Sequence, residues 1–576
     1  MALEVAMFRG VRYFSSALAR RAAHVKPAGA PVSSSKLAFG LMAGSVLGAG
    51  ISYQFISNRS ANEDRKESSK DVVPTSLDST LPLANLALPE YASPVEFSQA
   101  LDKITNIVGK EHVSTGQDVL QEHDDSDWMF RRPLEGEGAQ AVAYPANAEE
   151  VSQIVKVCHE YRVPVVPFSG GTSLEGHFTP VYKGISIDLN RMSNIVAIHE
   201  EDMDVVVQPA VSWQDLAEVL HPKGLQFGPD PGPGAQIGGM IGTNASGTNA
   251  YAQGVMRHNV LGLTIVLADG TIVKTRRRPR KSSAGYDLTS LVVGSEGTLG
   301  IVVEATLRLN SYPKFRKLGL LAFPDIKDAA DMVQAVLRSG YKLDAMELLD
   351  DDQMKFLNKS GMTDRKWDED NTLLLKFGGP SESYVNMLVE EVKRLSHEHH
   401  ASNLIFPKDE DEADELWTAR KDALISILSL MPQGYKTIGT DAAVPISHLS
   451  TYIHDVHEEI RKRGLTGSVI GHVGDGNFHC LLAYNPDTDM TNVHDFVNWT
   501  AERAISLDGT CTGEHGIGMG KRKLVLDELG APAIDMMRQI KFALDPQMIM
   551  NPGKIFSIQR VGDKGDDLPF VSCHGH

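Results

Sequence analysis

Three features of the 576-residue sequence predict an α+β fold of two large domains. Strand-length apolar runs alternate with helical ones from Ala141 onward, glycine density rises sharply from Gly228 to Gly254, and the composition changes at Tyr312-Pro313-Lys314. With 42% hydrophobic residues the chain can bury two ordinary cores.

The start of the chain stands apart from this body. Up to Asn62 the only acidic residue is Glu4, against Arg9, Arg12, Arg20, Arg21, Lys26, Lys36 and Arg59, and serines are frequent. Residues 1–36 therefore read as a mitochondrial presequence. Residues 37–56 follow without a charge. At roughly 1.5 Å per residue they are long enough for a transmembrane anchor across a core of about 30 Å. Basic residues before this span and the mixed-charge run 63–71 after it place the body on the far side of an inner membrane, facing the intermembrane space. The alternative is a longer cleaved targeting segment. Residues 57–93, polar and dotted with proline, read as a tether.

The folded body opens with an N-terminal helical segment, 94–137. The first domain, 138–313, reads as strand 141–144, helix 148–161 and strand 163–167. Further strands follow at 184–189, 195–199 and 204–208, then a helix at 213–221 and strands at 263–267 and 300–309. The second domain, 314–490, reads as strand 318–323, helix 328–339, strands 343–349 and 372–377, and helix 382–397. That order suggests an antiparallel sheet with helices on one face. A C-terminal helical segment, 491–556, ends in Asn551-Pro552-Gly553-Lys554, and 557–576 is a tail.

Three glycine segments mark the first domain. Ser169-Gly170-Gly171-Thr172-Ser173 follows a strand directly, so backbone N–H groups can turn toward an anion such as a pyrophosphate. By itself it suits a tight structural turn equally well, and it is neither GxGxxG nor a P-loop. Glycines recur from Gly228 to Gly247 and from Gly294 to Gly300. Three such loops point to close backbone approach to a flat ligand.

The second domain carries the chemistry. His472-Val473-Gly474-Asp475-Gly476-Asn477-Phe478-His479 sets two imidazoles across a glycine-rich turn, and Gly513-Glu514-His515-Gly516 adds a carboxylate and a third imidazole. Residues 468–470 and 478–483 are β-prone, so a hairpin should bring His472 and His479 onto adjacent strands. Imidazole with carboxylate suits a divalent ion, zinc or manganese, and a site with three protein ligands keeps positions open for catalysis. The alternative is that these histidines only hydrogen-bond within a turn.

Charge and cysteine usage narrow the partners. A formal charge of -18 argues against nucleic acid and is compatible with a basic partner. Cys158, Cys480, Cys511 and Cys573 form no CxxC pair and no CxxCH haem site, so no second redox centre is expected.

The ordered set PFSGGTSLEG, GGMIGTNASG, GSEGTLGIV, GHVGDGNFH, GEHGIG and NPGKI, spread over residues 95–556, resembles the vanillyl-alcohol-oxidase type of FAD flavoenzymes. Within it the chain is similar to the D-2-hydroxyacid dehydrogenase branch. Arg278-Pro279-Arg280-Lys281-Ser282-Ser283-Ala284-Gly285-Tyr286 and the basic start look like that branch's fungal mitochondrial, cytochrome-linked D-lactate members. The resemblance implies a two-subdomain, PCMH-type FAD-binding domain over 138–313, an antiparallel-sheet cap domain bearing the metal hairpin, and C-terminal helices. It implies FAD held by Ser169, Gly170, Gly171, Thr172 and Ser173, with further contacts from Gly238, Gly239, Thr243, Ser246, Glu296 and Ile301. Covalent members attach the flavin through a histidine in or near the first glycine loop. Here His177 comes later, so noncovalent FAD is expected.

The same resemblance assigns His472, His479 and Glu514 as metal ligands and Arg420 as the cation for a substrate carboxylate. His515, beside a ligand, is placed to act as general base. The alternatives are a structural hydrogen bond for His515 and, for Arg420, a solvated helix face pairing with the acidic run 409–415. D-lactate is the implied substrate. The runner-up is a D-2-hydroxyglutarate or broad D-2-hydroxyacid dehydrogenase with another electron acceptor, but a diacid would set its second carboxylate against Leu424 and Leu481-Leu482, which is costly. Cytochrome c is the implied acceptor, steered by the acidic runs 350–352, 368–370 and 409–415. A flavin-binding scaffold without turnover is the non-enzymatic alternative.

Overall fold

The computed structural model describes residues 89–557, apart from Asp127, Trp128, Arg131 and Arg132. The presequence, the anchor, nearly all of the tether and nearly all of the tail lie outside the described residues. Among those described, no helix is long and apolar enough to cross a membrane.

The FAD-side half is built on two larger sheets, and a two-stranded ribbon pairs Leu225–Gln226 with Asn310–Ser311. The first has four strands in the order Val113–Ser114, Ala141–Ala143, Ile185–Asp188, Val165–Phe168, the last three mutually parallel. Parallel strands need a crossover, and helix Ala148–Tyr161 supplies it. Its N-cap Asn147 accepts from the Glu150 amide, and Val151, Ile154, Val155 and Cys158 face the core. The expected N-terminal helical segment contributes helices Pro94–Val108 and Gln117–Asp124, but also the edge strand Val113–Ser114, too short to show a period in the sequence.

The second sheet is antiparallel: Ile195–His199, Asp204–Val207, Ile301–Arg308, Val260–Val266, Ile272–Lys274. Each sheet has its own apolar core. Residues around Ile154 and Ile187 pack under the first, and residues around Leu216, Ile241 and Leu307 under the second.

The cap domain is built on a seven-stranded sheet. Its path runs Phe315–Phe323, Asn371–Gly379, Ala345–Leu349, Thr466–Gly471, Asn477–Tyr484, Lys436–Gly439, and Ala442–Ala443 pairs with Asn477–Tyr484. All its pairings are antiparallel, as expected. Helices on one face only, however, is corrected by the structure. Helices Ile326–Ser339, Glu382–Glu398 and Leu449–Arg463 cover one face through Met332, Leu388 and Val456. Helices Asp351–Ser360, Glu410–Lys421 and Ala423–Leu428 cover the other through Leu357, Trp417 and Ile427. The reason is visible in strand Asn371–Gly379, which is buried along nearly its whole length rather than on alternate residues.

The C-terminal segment is shared between the halves. Helix Met490–Ile505 packs on the cap through Val493 and Phe496. The chain then returns to the first sheet, where Met550 bridges Val165 and the Lys554 ammonium donates to the Thr179 carbonyl at 2.7 Å.

Candidate active site

A cavity of about 360 Å³ lies against the glycine loops of the FAD-side half. Ser169, Gly170, Gly171, Thr172, Ser173, Gly238, Gly239, Thr243 and Glu296 line it, with Glu514 and His515 at the cap. The loop after strand Val165–Phe168 is fixed from below by Ser169 Oγ donating to Gln236 Oε1 at 2.6 Å. Gly171 sits at φ +64°, where a side chain is strained, and a Cβ on Gly170 would lie 2.6 Å from the Gly234 carbonyl. A Cβ on Gly239 would meet nothing within 4 Å, so any larger side chain there would grow into the cavity. A cleft walled by backbone amides and lacking side chains at its closest approaches fits a dinucleotide.

Two residues expected at the cofactor turn their side chains away from the cavity. The Ile301 side chain is buried in the core under the first sheet, and its neighbours Gly300 and Val302 form the wall. Ser246 turns toward the cap, its Oγ donating to Glu514 Oε2 at 2.6 Å. Glu296 lines the cavity, yet its carboxylate accepts from the Ile517 amide at 2.7 Å and the Gly518 amide at 2.8 Å. It thereby pins the loop that carries Glu514 to the glycine floor. Asn551 completes the clamp, donating to the carbonyls of Glu296 and His177 at 2.7 and 3.0 Å.

The hairpin forms, Ile470 opposite His479, with His479 on strand Asn477–Tyr484 but His472 one residue past strand Thr466–Gly471, at the start of the short turn Val473–Asp475. The His472 and His479 rings lie 5.5 Å apart, edge to face. Glu514 Oε1 lies 3.3 Å from His472 Nε2 and 3.2 Å from His479 Nε2. The far nitrogens are engaged: His472 Nδ1 with Glu347 Oε1 at 2.8 Å and His479 Nδ1 with the Thr440 carbonyl at 3.0 Å. A nitrogen facing a carbonyl must carry a proton, so His479 Nδ1 is an N–H and its Nε2 is the atom turned toward the Glu514 carboxylate. That nitrogen and the carboxylate need a positive charge between them, a proton or a metal ion. Burial pulls the His472 pKa down, but Glu347 and Glu514 outweigh it and push it up to about 10. The same pairing holds Glu514 well below the usual carboxylate range despite its burial. Such a buried donor set, with each imidazole tethered from behind, fits a divalent cation.

His515 stacks on His479, ring centroids 5.2 Å apart and planes within 10°. Burial lowers its pKa to about 4, with Asp441 opposing, so the ring is neutral near pH 7. Its Nδ1 is buried and without a hydrogen bond. Asp441 anchors this loop: Oδ2 accepts from Thr512 Oγ1, the Glu514 amide and the His515 amide at 2.7, 3.0 and 2.9 Å.

Arg420 lies on helix Glu410–Lys421 and is buried, so it does not pair with the acidic run as a solvated residue would. Its Nη2 donates to Glu347 Oε2 at 2.5 Å, while its Nε is buried without a partner. Glu347 thus bridges Arg420 to His472. Sequence reading had no role for Glu347, Asp441 or Asn551. The available signal was an acidic residue inside an apolar run, in Ala345-Met346-Glu347-Leu348-Leu349 and again in Thr440-Asp441-Ala442-Ala443.

Comparison with known proteins agrees with this layout. Residues 139–276 match the family described as FAD binding domain, and residues 312–555 match FAD linked oxidases, C-terminal domain. The "D-lactate dehydrogenase [cytochrome] 1, mitochondrial" of Saccharomyces cerevisiae is 45% identical over 83% of this chain and 84% of its own length. The chain belongs to the FAD-linked oxidase family. The corresponding Kluyveromyces lactis protein is 43% identical over 90% of both chains. Among solved structures, p-cresol methylhydroxylase with substrate bound superposes with a TM-score of 0.67 at 16% identity, covering 82% of this chain and 99% of that one. At that identity the match shows the fold alone, PCMH-type, and this oxidase is an α+β flavoprotein oxidoreductase.

Proposed function

We propose that this FAD-linked oxidase converts D-lactate to pyruvate with a bound divalent metal and passes the electrons to ferricytochrome c, anchored in the mitochondrial inner membrane with its body facing the intermembrane space. The observation that carries this reading is that Glu514 and His515, on one loop, close the cap end of the FAD cavity while Glu514 also meets both hairpin histidines. The mitochondrial, cytochrome-linked names of the relatives support substrate, acceptor and compartment.

When bound, FAD would supply an acceptor for a hydride, one proton with two electrons, and the metal would supply a Lewis acid that eases loss of a hydroxyl proton. Ser169 to Ser173 and Gly238-Gly239 would cradle noncovalent FAD, and His472, His479 and Glu514 would hold the metal. The chain's own groups do the rest. Arg420, its fork oriented by Glu347, offers the unpartnered Nε to the substrate carboxylate. His515, neutral beside the metal ligands, takes the hydroxyl proton while the hydrogen on the α-carbon leaves with its electron pair. Leu424 and Leu481 both sit in the apolar cluster next to Trp417, a poor setting for a second carboxylate.

Anaerobic mixing of the purified full chain with D- and L-lactate tests the reading. Bleaching of the flavin absorbance by the D form only, abolished by chelator and restored by zinc or manganese, is expected. Equal bleaching in metal-free protein would remove the metal from the scheme.

A further inference from the structure

Lys376 is a charged residue inside strand Asn371–Gly379, set in the apolar run Leu373-Leu374-Leu375 and Phe377. The register pairs Lys376 with Ala345 and Leu374 with Glu347. Residues two apart on a strand share a face, so Lys376 and Glu347 stand on one face as diagonal neighbours, within reach of long side chains. Helix Glu410–Lys421 covers that face, and the Lys376 ammonium lies 3.4 Å from the centroid of the Trp417 ring. Trp417 stands one turn before Arg420 and Lys421 on the same helix surface.

Every carboxylate near this ammonium has another partner or is driven toward neutrality. Glu347 is held by Arg420 and His472. Asp230, on the glycine loop whose next residue Pro231 lines the FAD cavity, takes Thr248 Oγ1, the Asn249 amide and Lys421 Nζ at 2.6, 2.8 and 3.2 Å. Burial raises the Asp344 carboxyl toward its neutral form, against Lys376 and Arg316. Among the described residues, no carboxylate comes within ion-pair distance of Lys376 Nζ, which lies over the Trp417 ring. Burial accordingly lowers its pKa to about 8, with Asp230 among the groups opposing.

A half-buried ammonium held over an indole with no anion beside it is open to an incoming carboxylate, and the buried, unpartnered Nε of Arg420 offers a second donor from the covering helix. We propose that Lys376 is a specificity-determining residue that, together with Arg420, receives the carboxylate of a small 2-hydroxy monocarboxylic acid, the Trp417 ring holding the ammonium in place. The assignment deepens the substrate reading given above and rests on it for the identity of the acid. Lys376 contributes charge from the sheet side and Arg420 from the helix side, so the site selects an anionic head before the hydroxyl reaches His515.

The test uses the full-length FAD-loaded enzyme with its metal. Lys376→Met removes the ammonium that lies over Trp417 while keeping most of the unbranched apolar stem, and Lys376→Arg restores the charge. With D-lactate, Lys376→Met should raise KM at least tenfold while kcat changes less than threefold, and Lys376→Arg should recover part of the loss. The preference for D-lactate over its uncharged amide should fall by a similar factor, a change that a purely structural lysine would not produce. Oxalate, read by its perturbation of the oxidised flavin spectrum, should bind at least tenfold more weakly to Lys376→Met. That readout needs no turnover, so it stands even if D-lactate proves not to be a substrate. Unchanged oxalate affinity and an unchanged acid-to-amide ratio in Lys376→Met would overturn the assignment and leave the lysine as a packing residue. A preference for D-2-hydroxyglutarate over D-lactate that vanishes in Lys376→Met would overturn the monocarboxylate part.

Discussion

The two halves of this oxidase build their share of the active site from opposite materials. On the FAD side the wall is backbone: Gly170 against the Gly234 carbonyl, Gly171 at positive φ, Gly239 facing open space. On the cap side it is charge: Glu514 between two imidazoles, Glu347 between His472 and Arg420, Asp441 under the loop that bears Glu514 and His515. Backbone binds a large, invariant cofactor through shape and amide dipoles, which require small residues and rigid turns. Buried charge binds and orients a small reacting anion, and it demands a counter-charge for every member. Glu296 joins the two, standing at φ +53° on the glycine floor and holding the amides of Ile517 and Gly518.

The largest expected effect separates the halves cleanly. Glu514→Gln keeps the shape of the side chain but removes the charge that faces His472 and His479. Turnover of D-lactate should fall by about 10³-fold or more, the order seen when a charge-stabilising group is removed from a water-poor site. FAD content, read from the ratio of flavin to protein absorbance, should stay at its parent value. Loss of flavin together with activity would show that the cap's charge cluster also holds the cofactor, and the contrast would fail.

The reverse experiment is Gly239→Val. Its side chain would enter the cavity, where a Cβ meets nothing within 4 Å. The protein should fold, because the same open space spares it a clash with its own chain, yet bind FAD roughly 10–100-fold more weakly, a loss of about 1.4–2.7 kcal/mol. Metal content, measured by elemental analysis, should not change. Normal flavin affinity in this variant would place the cofactor away from the glycine wall.

Much of this division was legible in the sequence, and the reasons are physical. Glycine is required where a side chain cannot fit, so the FAD wall announced itself as three glycine-dense segments. The hairpin was legible because β-prone apolar runs flank a glycine-rich turn between the two histidines. Where the side chains of Ile301 and Ser246 turn was not legible, because a residue next to a glycine loop faces either the ligand or the core and sequence adjacency does not distinguish the two. Glu347 and Asp441 were illegible for a different reason: a single buried acid acquires its role only from partners brought together by sheet register, as Glu347 does with His472 across 125 residues. Helix Leu449–Arg463 was overlooked although Leu449, Tyr452, Ile453, Val456 and Ile460 mark a helical stripe. The second helical layer on the cap sheet was missed partly because Glu410–Lys421 is dominated by acidic residues, while only Leu416, Trp417, Ala419 and Arg420 among its later positions turn inward.

The smallest expected effect asks whether every buried acid–imidazole pair in the cap serves the reaction. Asp350 and His457 form such a pair, Oδ2 to Nε2 at 3.1 Å, with Asp351 Oδ1 at 3.5 Å from the same nitrogen. Asp350 also accepts from the Gln353 and Val469 amides at 2.7 Å each, so it caps helix Asp351–Ser360 and ties it to the hairpin strand Thr466–Gly471. Its role is explained by the fold, without any contact to the cavity. Burial lowers the His457 pKa, but the Asp350 hydrogen bond and charge outweigh this and raise it, with Arg461 opposing. A histidine whose folded pKa is raised gives its full stabilisation below the unfolded value of about 6.5 and loses it as pH climbs through the folded value. His457→Gln should therefore destabilise the protein by about 1–3 kcal/mol near pH 6, the cost of a lost buried hydrogen bond to a charged group, and by less near pH 9. The kcat and KM of the folded enzyme should hold. Equal destabilisation at both pH values would mean that the pair is neutral in the folded protein, and a drop in kcat would extend the reactive charge network beyond Glu347.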